Sequence, residues 1–385
     1  MREFDFILIG AGIAGASLAW RLVQSTTPAR VLMIERESQP GYHTTGRSAA
    51  LYMESYGPPG VRALTRASRT FFEHPPEGFA EVPLLGPRGA LHLAFTGQEA
   101  ALAALQAELA PCCRELRALD AAAALALAPC LRADRLIGAL LDPDAQDMDV
   151  DAIHQGYLRG FRRAGGELRT GTTVAQAARD GNGWRLVLSG GEVVRASTVV
   201  NAAGAWADEV AAAFGAAPVG LVPKRRSAFT FDARPQDRPA EWPALIAIDE
   251  SWYIKPGHGR LLGSPANADP TVPHDVVPEE LDIALGIHAI GEATHLAIRR
   301  PTSTWAGLRS FVADGELVIG HDAACPGFFW LAAQGGYGIQ SAPGASALAE
   351  ALLRGAPVPP ELLRHGVDPA ALSPTRLHQS TKATP

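Results

Sequence analysis

Short apolar blocks that end in glycine and run into segments of helical period recur along the chain, and each predicts a strand, a tight turn and a helix. The clearest is the first. Residues 4–9 form an apolar run, Gly10-Ala11-Gly12-Ile13-Ala14-Gly15 follows, and a second apolar run at 31–34 ends in Glu35. Glycines so placed let the backbone approach a pyrophosphate, while the helix N-terminus offers unpaired N–H groups and a positive dipole. An acidic residue about 20 positions further on suits ribose hydroxyls. The pattern therefore predicts a dinucleotide site on a Rossmann-like unit. Two more small-residue turns fit the scheme: Ala202-Ala203-Gly204-Ala205-Trp206 after a strand expected at 197–201, and Gln334-Gly335-Gly336-Tyr337-Gly338 after one at 328–332, leading into a helix through Leu353.

Between these units, 41–50 is rich in Gly, Ser and Thr and reads as a loop. Helices are expected at 59–72, 99–109, 118–127, 149–163 and 279–293, a hairpin-like stretch at 167–194, and strands at 90–95, 228–231, 245–248 and 252–255. The expected fold is α/β, with a discontinuous nucleotide domain (1–50, 149–218 and 310–373) interleaved with an α+β substrate domain (51–148 and 219–309) built on a mixed or antiparallel sheet. Residues 374–385 read as a disordered tail.

At 385 residues the chain exceeds the usual single-core size, which favours two domains. A net charge of −6 leaves no basic footprint for nucleic acid. Arg2 before an apolar run superficially resembles a secretory signal, but Glu3 and Asp5 interrupt it and cleavage would remove the glycine turn. No segment approaches the uncharged length of about 18 to 20 residues that spans a bilayer, so a cytoplasmic protein is expected. Cys112, Cys113, Cys130 and Cys325 have neither metal-cage nor Cys-x-x-Cys spacing and read as reduced structural thiols, with no metal site expected.

Taken together, residues 10–15, Pro40-Gly41-Tyr42-His43-Thr44-Thr45-Gly46-Arg47-Ser48, residues 201–206, Pro223-Lys224-Arg225-Arg226-Ser227, Thr304-Trp305-Ala306-Gly307-Leu308-Arg309-Ser310 and residues 335–340 carry a resemblance over nearly the whole chain. They resemble the FAD-dependent amine oxidoreductases of the D-amino acid oxidase superfamily, and within it the bacterial D-arginine dehydrogenases. The resemblance implies a glutathione-reductase-type FAD domain. The FAD would be non-covalent, because Cys325 lies in a different segment from the attachment cysteine of sarcosine oxidase-like relatives. It assigns Gly10, Gly12, Ile13, Ala14 and Gly15 to the dinucleotide turn, Glu35 and Arg36 to the adenosine side, and the backbone of Val174 to adenine. Thr45, Gly46, Arg47 and Ser48 fall to the pyrophosphate and flavin face, with Ala203, Gly204 and Trp206 at the second turn. Gly335, Gly336, Tyr337, Gly338, Ile339 and Gln340 fall to the pyrimidine end of the flavin, where a helix start would favour the negative charge of the reduced ring; an ordinary turn is the other reading of those glycines.

Arg226 and Arg309 lie beside apolar segments, where an unpaired guanidinium is costly to bury, so anionic partners are expected. Structural ion pairs are one reading, kept for Arg299 and Arg300; the resemblance favours a bidentate grip by Arg226 and Arg309 on a substrate α-carboxylate, with Tyr253 adding a hydroxyl. Tyr56 matches a lid tyrosine, or packs the turn at Gly57-Pro58-Pro59. The chain departs from the D-arginine dehydrogenases in the side-chain pocket. The acidic residue that meets the substrate guanidinium falls on Ala90, the pocket histidine on Leu51, the threonine on Met53 and the apolar wall on Ala244 and Ile246, with Gly336 and Gln340 completing the lining. An unpaired buried guanidinium costs about 3 to 5 kcal/mol, so D-arginine is expected to be a poor substrate. Neutral, apolar D-amino acids such as D-leucine, D-methionine or D-phenylalanine are expected instead, unless Glu54, Glu81 or Glu250 reaches the pocket. The implied reaction is hydride transfer from Cα to flavin N5, giving an imino acid that hydrolyses to a 2-oxo acid and ammonia. Electrons then pass to a quinone, a carrier protein or oxygen, the resemblance favouring little use of oxygen. Oxidation of N-methyl or cyclic amino acids or of 2-hydroxy acids is the near alternative, and a flavin-binding subunit without turnover is a further one.

Overall fold

The computed structural model describes residues 1–234, 238–257 and 259–379. Strand Arg2–Ile9 lies inside an eight-stranded sheet, parallel to Val31–Ile34 on one side and to Val193–Asn201 on the other. Glu167–Arg169 extends the first edge in parallel. Val193–Asn201 divides its far edge between two partners: its first half pairs antiparallel with Gly183–Leu188 and its end pairs parallel with Phe328–Ala332. Val31–Ile34 and Phe328–Ala332 are buried throughout, which is why they read as unbroken apolar runs. Helices Ile13–Gln24, Val150–Arg163 and Gly338–Leu353 cover one face, with Pro59–Glu73 packed on the last of them; Ala207–Ala213 covers the other face together with Trp184 and Phe214.

The second sheet has nine strands. Its order runs Ser303–Phe311, Val222–Phe231, Arg260–Ser264, Tyr253–Gly257, Ala244–Ala247, Ala90–Phe95, Leu136–Asp142 and Arg117–Asp120, with Asp269–Pro270 also on Val222–Phe231. All neighbours are antiparallel except Ala244–Ala247 against Ala90–Phe95, so the sheet is mixed, as expected. Leu91, Leu93, Leu245, Ile254 and Leu261 point to one face and pack among residues of helices Ala121–Leu127 and Glu280–Ala293. Residues of the opposite register, His92, Ala244, Ile246 and Tyr253, are left to line the space against the first sheet.

Two expectations are corrected. Residues 118–120 are not helical: Arg117–Asp120 is an edge strand paired with Leu136–Asp142, and the helix starts at Ala121 because the Asp120 carboxylate caps it, accepting from Ala123 N–H at 2.8 Å. The tail is ordered at its start, since Thr375–Gln379 is a helix and Arg376 donates from Nε and Nη2 to the Asp314 carboxylate at 2.7 and 3.1 Å. Residues 380–385 lie outside the described residues. Among the described residues no helix is long and apolar enough to cross a membrane.

Candidate active site

One cavity of about 460 Å³ runs between the two sheets, from the glycine turn after the first strand to Arg226, Tyr253 and Arg309 on the second sheet. At the nucleotide end, Gly10 holds φ +104°, and a Cβ there would lie 2.9 Å from the Ala202 carbonyl carbon, so the two strand-end turns approach as only glycine permits. Gly12, Ile13 and Ala14 open the helix onto the cavity, with Glu35, Arg36 and Val174 beside them. The Glu35 carboxylate accepts from Ala11 N–H at 2.9 Å and Glu37 N–H at 3.0 Å, which fixes it at the lip of the turn. Ile13 N–H donates to Thr45 Oγ1 at 3.0 Å and thereby ties the 41–50 loop to the helix start. Arg36 lies over the Trp206 ring at 4.2 Å, and His43 meets the same ring at 4.6 Å. Backbone amides at a helix start, an adjacent carboxylate and an elongated, largely apolar cleft fit a dinucleotide carrying a flat ring system.

At the other end, Val222–Phe231 and Ser303–Phe311 pair so that Arg226 faces Gly307 and Lys224 faces Arg309. Arg226 and Arg309 are thus diagonal neighbours on one sheet face, a relation that places two positions roughly 7 to 8 Å apart, and somewhat less at Cβ. Neither has a carboxylate partner among the described residues. Arg226 Nε donates to Asn267 O at 2.6 Å, and Arg309 Nη2 donates to the Tyr56 hydroxyl. Burial, and then the Arg309 charge, depress the Arg226 pKa; burial also works against the Arg309 charge, but Tyr56 and the neighbouring Tyr337 and Tyr253 hold it up. Gly336 makes room for this clamp, because a Cβ there would sit 2.5 Å from Arg309 Cζ and closer still to Nη2. Tyr253 lines the cavity and its hydroxyl has no hydrogen-bond partner among the described residues. Tyr56 packs its ring 4.9 Å from that of Tyr337, and its hydroxyl accepts from Arg309, a contact the sequence reading did not include. Two guanidiniums and a free phenol facing one opening can hold a carboxylate.

The cavity brings together most of the sequence-predicted residues, including Thr45, Arg47, Ser48, Leu51, Met53, Ala203, Gly204, Trp206, Ala244, Ile246, Gly335, Gly338 and Ile339. Five do not line it. Gly15 packs under Gly10, and Gly46 N–H donates to Gly41 O at 2.8 Å. Ala90 is fully buried in one cluster with Met53 and Ala145 and contributes no surface. Tyr337 stands beside Tyr56 at the start of its helix. Gln340 is spent on the fold, accepting from Met53 N–H at 3.1 Å and donating to Thr65 Oγ1 at 3.1 Å. Of the three uncertain carboxylates, Glu250 lines the cavity, in a turn with φ +54°. Glu54 is ion-paired with Arg69 at 2.6 Å and Glu81 is exposed; neither lines it. Missed were His43, His92, Trp252, Lys255 and Trp305, which all line the cavity. Lys255 is committed, donating to Ala50 O at 3.0 Å and pairing with Asp147 at 2.8 Å. No cysteine lines the cavity.

Comparison with known proteins agrees with this geometry. The family of FAD dependent oxidoreductases (DAO) matches residues 5–351. Among solved structures, glycine oxidase from Geobacillus kaustophilus superimposes with a TM-score of 0.83 at 22% identity, covering 98% of this chain and 99% of that one. L-Proline dehydrogenase from P. horikoshii superimposes with a TM-score of 0.82 at 18% identity, covering 98% and 99%. By sequence, L-2-hydroxyglutarate dehydrogenase of Escherichia coli (strain K12) is 40% identical over 58 residues, which is 15% of this chain and only 14% of that relative's length.

Proposed function

The chain belongs to the FAD dependent oxidoreductase family (DAO) and uses FAD, and from that premise we propose that it oxidises the Cα–N bond of D-amino acids with uncharged side chains. The observation that carries this reading is the pair Arg226 and Arg309, two guanidiniums on one sheet face without a carboxylate partner among the described residues, in the cavity that begins at the dinucleotide turn. The substrate α-carboxylate supplies the missing anion, and Tyr253 donates to it. Gly10, Gly12, Ile13, Glu35, Thr45 and Val174 would hold the FAD, which would supply the acceptor for the hydride, and with it the two electrons, leaving Cα. Once the substrate amine has given up its extra proton to solvent, loss of that hydride leaves the protonated imino acid, which water hydrolyses to a 2-oxo acid and ammonium. Anchoring of the carboxylate, together with a side chain seated on the apolar wall, would leave the Cα hydrogen to face the flavin site, and Tyr56 would restrict water at the clamp. Leu51, Met53 and Ile246, backed by Ala90 and Ala145, give the side chain an apolar wall. Glu250 does line the cavity, but its charge acts on Arg226 at the clamp, so the wall itself offers a guanidinium no acidic partner. This is the basis for separating the chain from D-arginine dehydrogenases.

The test is anaerobic bleaching of the oxidised flavin band by resolved enantiomers. D-Leucine should bleach it and L-leucine should not, with D-arginine at least about a hundredfold less effective in kcat/KM. Bleaching by L-enantiomers, N-methyl amino acids or 2-hydroxy acids alone would overturn the D-amino acid assignment. A band untouched by any of them would remove the enzymatic reading.

A further inference from the structure

Among the described residues, His92 is the one imidazole that lines the substrate end of the cavity. Across the second sheet, Tyr253 pairs with Ile246 and Ile246 pairs with His92, so the three stand in one row on the face that lines the cavity. At about 4.8 Å between strands, His92 lies roughly 10 Å from Tyr253 at Cα. A substrate whose carboxylate is held at Tyr253 and Arg309 therefore sends its side chain along Ile246 toward His92. The ring makes no hydrogen bond among the described residues, and its Nε2 is sealed from solvent without a partner. A sealed N–H without an acceptor is worse than a sealed lone pair, so the proton belongs on Nδ1, on the ring edge that is not sealed. Burial pushes the His92 pKa down to about 4, so the ring is neutral near pH 7 and offers a single N–H. Lys255, the nearby alternative, is engaged by Asp147 and Ala50 O.

We infer that His92 is a specificity residue that donates a hydrogen bond to an acceptor oxygen on an otherwise uncharged substrate side chain. The inference rests on the amino acid reading of the clamp and narrows it: among isosteres, the one that carries the oxygen is preferred. D-Asparagine should exceed D-leucine, and D-threonine should exceed D-valine, by about tenfold in kcat/KM, the usual worth of one hydrogen bond to a donor otherwise left unpaired.

The experiment measures kcat/KM for both isosteric pairs, each as both enantiomers, on the flavin-loaded wild type and His92→Leu. The asparagine-to-leucine ratio should fall about tenfold in the variant. A wild type that prefers leucine, or a ratio that His92→Leu leaves unchanged, overturns the inference. A second arm needs no turnover: 4-oxopentanoate and its isostere 4-methylpentanoate are titrated against the flavin absorbance. Tighter binding of the oxo acid, lost in His92→Leu, upholds the role of His92 even if no amino acid is oxidised; that result would sink the proposed reaction alone. Equal binding of the two acids overturns the role of His92. His92→Phe, which keeps a flat ring, serves if the leucine variant does not fold.

Discussion

Gly336→Ala tests the clamp without touching a charged group. The added Cβ would stand 1.8 Å from Arg309 Nη2 and 2.5 Å from Cζ and Nε, whereas ordinary van der Waals contact begins near 3.4 Å, so the guanidinium must retreat by about 1 to 1.6 Å. The guanidinium cannot swing freely, because Arg309 is held by the Tyr56 hydroxyl and flanked by the Phe311 ring at 5.6 Å. A misplacement of that size in a substrate-positioning group costs on the order of 100-fold in rate, or about 2.7 kcal/mol. Removing the charge altogether, as in Arg309→Met, should cost more, on the order of a thousandfold, and act chiefly by raising KM. The assay is flavin reduction at a range of substrate concentrations, with bound FAD per chain and Tm as controls. Because Gly336 also lies in the turn assigned to the pyrimidine end of the flavin, kcat/KM is compared per bound FAD, so that a loss of cofactor is separated from a displaced Arg309. A kcat/KM within threefold of wild type would refute the argument that Gly336 exists to seat Arg309.

Three further outcomes are expected. Gly10→Ala should strip the protein of flavin and destabilise it by more than about 2 kcal/mol in urea unfolding, because alanine is strained at φ +104° and its Cβ would press on Ala202. Arg69→Met should destabilise by about 3 to 5 kcal/mol, since it leaves the buried Glu54 carboxylate without its 2.6 Å partner; adding Glu54→Gln should recover part of that, and no recovery would refute the ion-pair account. The pH dependence of stability should carry a His92 component. Its folded pKa lies near 4, below the ordinary 6.5, so the unfolded chain protonates first and stability falls as pH drops from about 6.5 to 4, by up to about 3 kcal/mol. Urea unfolding of wild type and His92→Leu at pH 7 and pH 4.5 measures the difference; parallel slopes would exclude it.

What the sequence made legible is what is local. Gly10, Gly12 and Glu35 could be read because strand, turn, helix and second strand follow within one βαβ unit, so spacing along the chain fixes their spacing in three dimensions. Arg226 and Arg309 were readable as charges that needed an anion, but their shared face depends on the register between Val222–Phe231 and Ser303–Phe311, which no local pattern sets. His92 was hidden for the same reason: it belongs to the site only because Ala90–Phe95 pairs with Ala244–Ala247, a strand far away in sequence. Ala90 and Gln340 went the other way. Both sit at positions that suggest contact with ligand, yet Ala90 is packed into a cluster with Met53, and Gln340 answers a buried amide and a hydroxyl, since a buried carboxamide must find partners wherever the fold offers them. The Asp120 cap shows the limit of helix propensity: the alanine-rich run 121–127 is helical, but the residues before it are taken by the sheet edge.

The arrangement of the clamp explains why the fold tolerates two like charges in one partly closed cleft. Each guanidinium keeps a neutral partner, Asn267 O for Arg226 and the Tyr56 hydroxyl for Arg309, and these satisfy donors without cancelling charge. A carboxylate at either position would form a structural ion pair and leave no field for a ligand. Like-charge repulsion between the two is therefore only partly offset, by the more distant charge of Glu250, and Arg226 shows it in a pKa held below that of a free guanidinium by burial and then by Arg309. On the proposed reading, binding energy at the substrate end would in this way be concentrated on the carboxylate, the part common to all amino acids. The row Tyr253, Ile246 and His92 would then be left to distinguish one side chain from another, as proposed for His92.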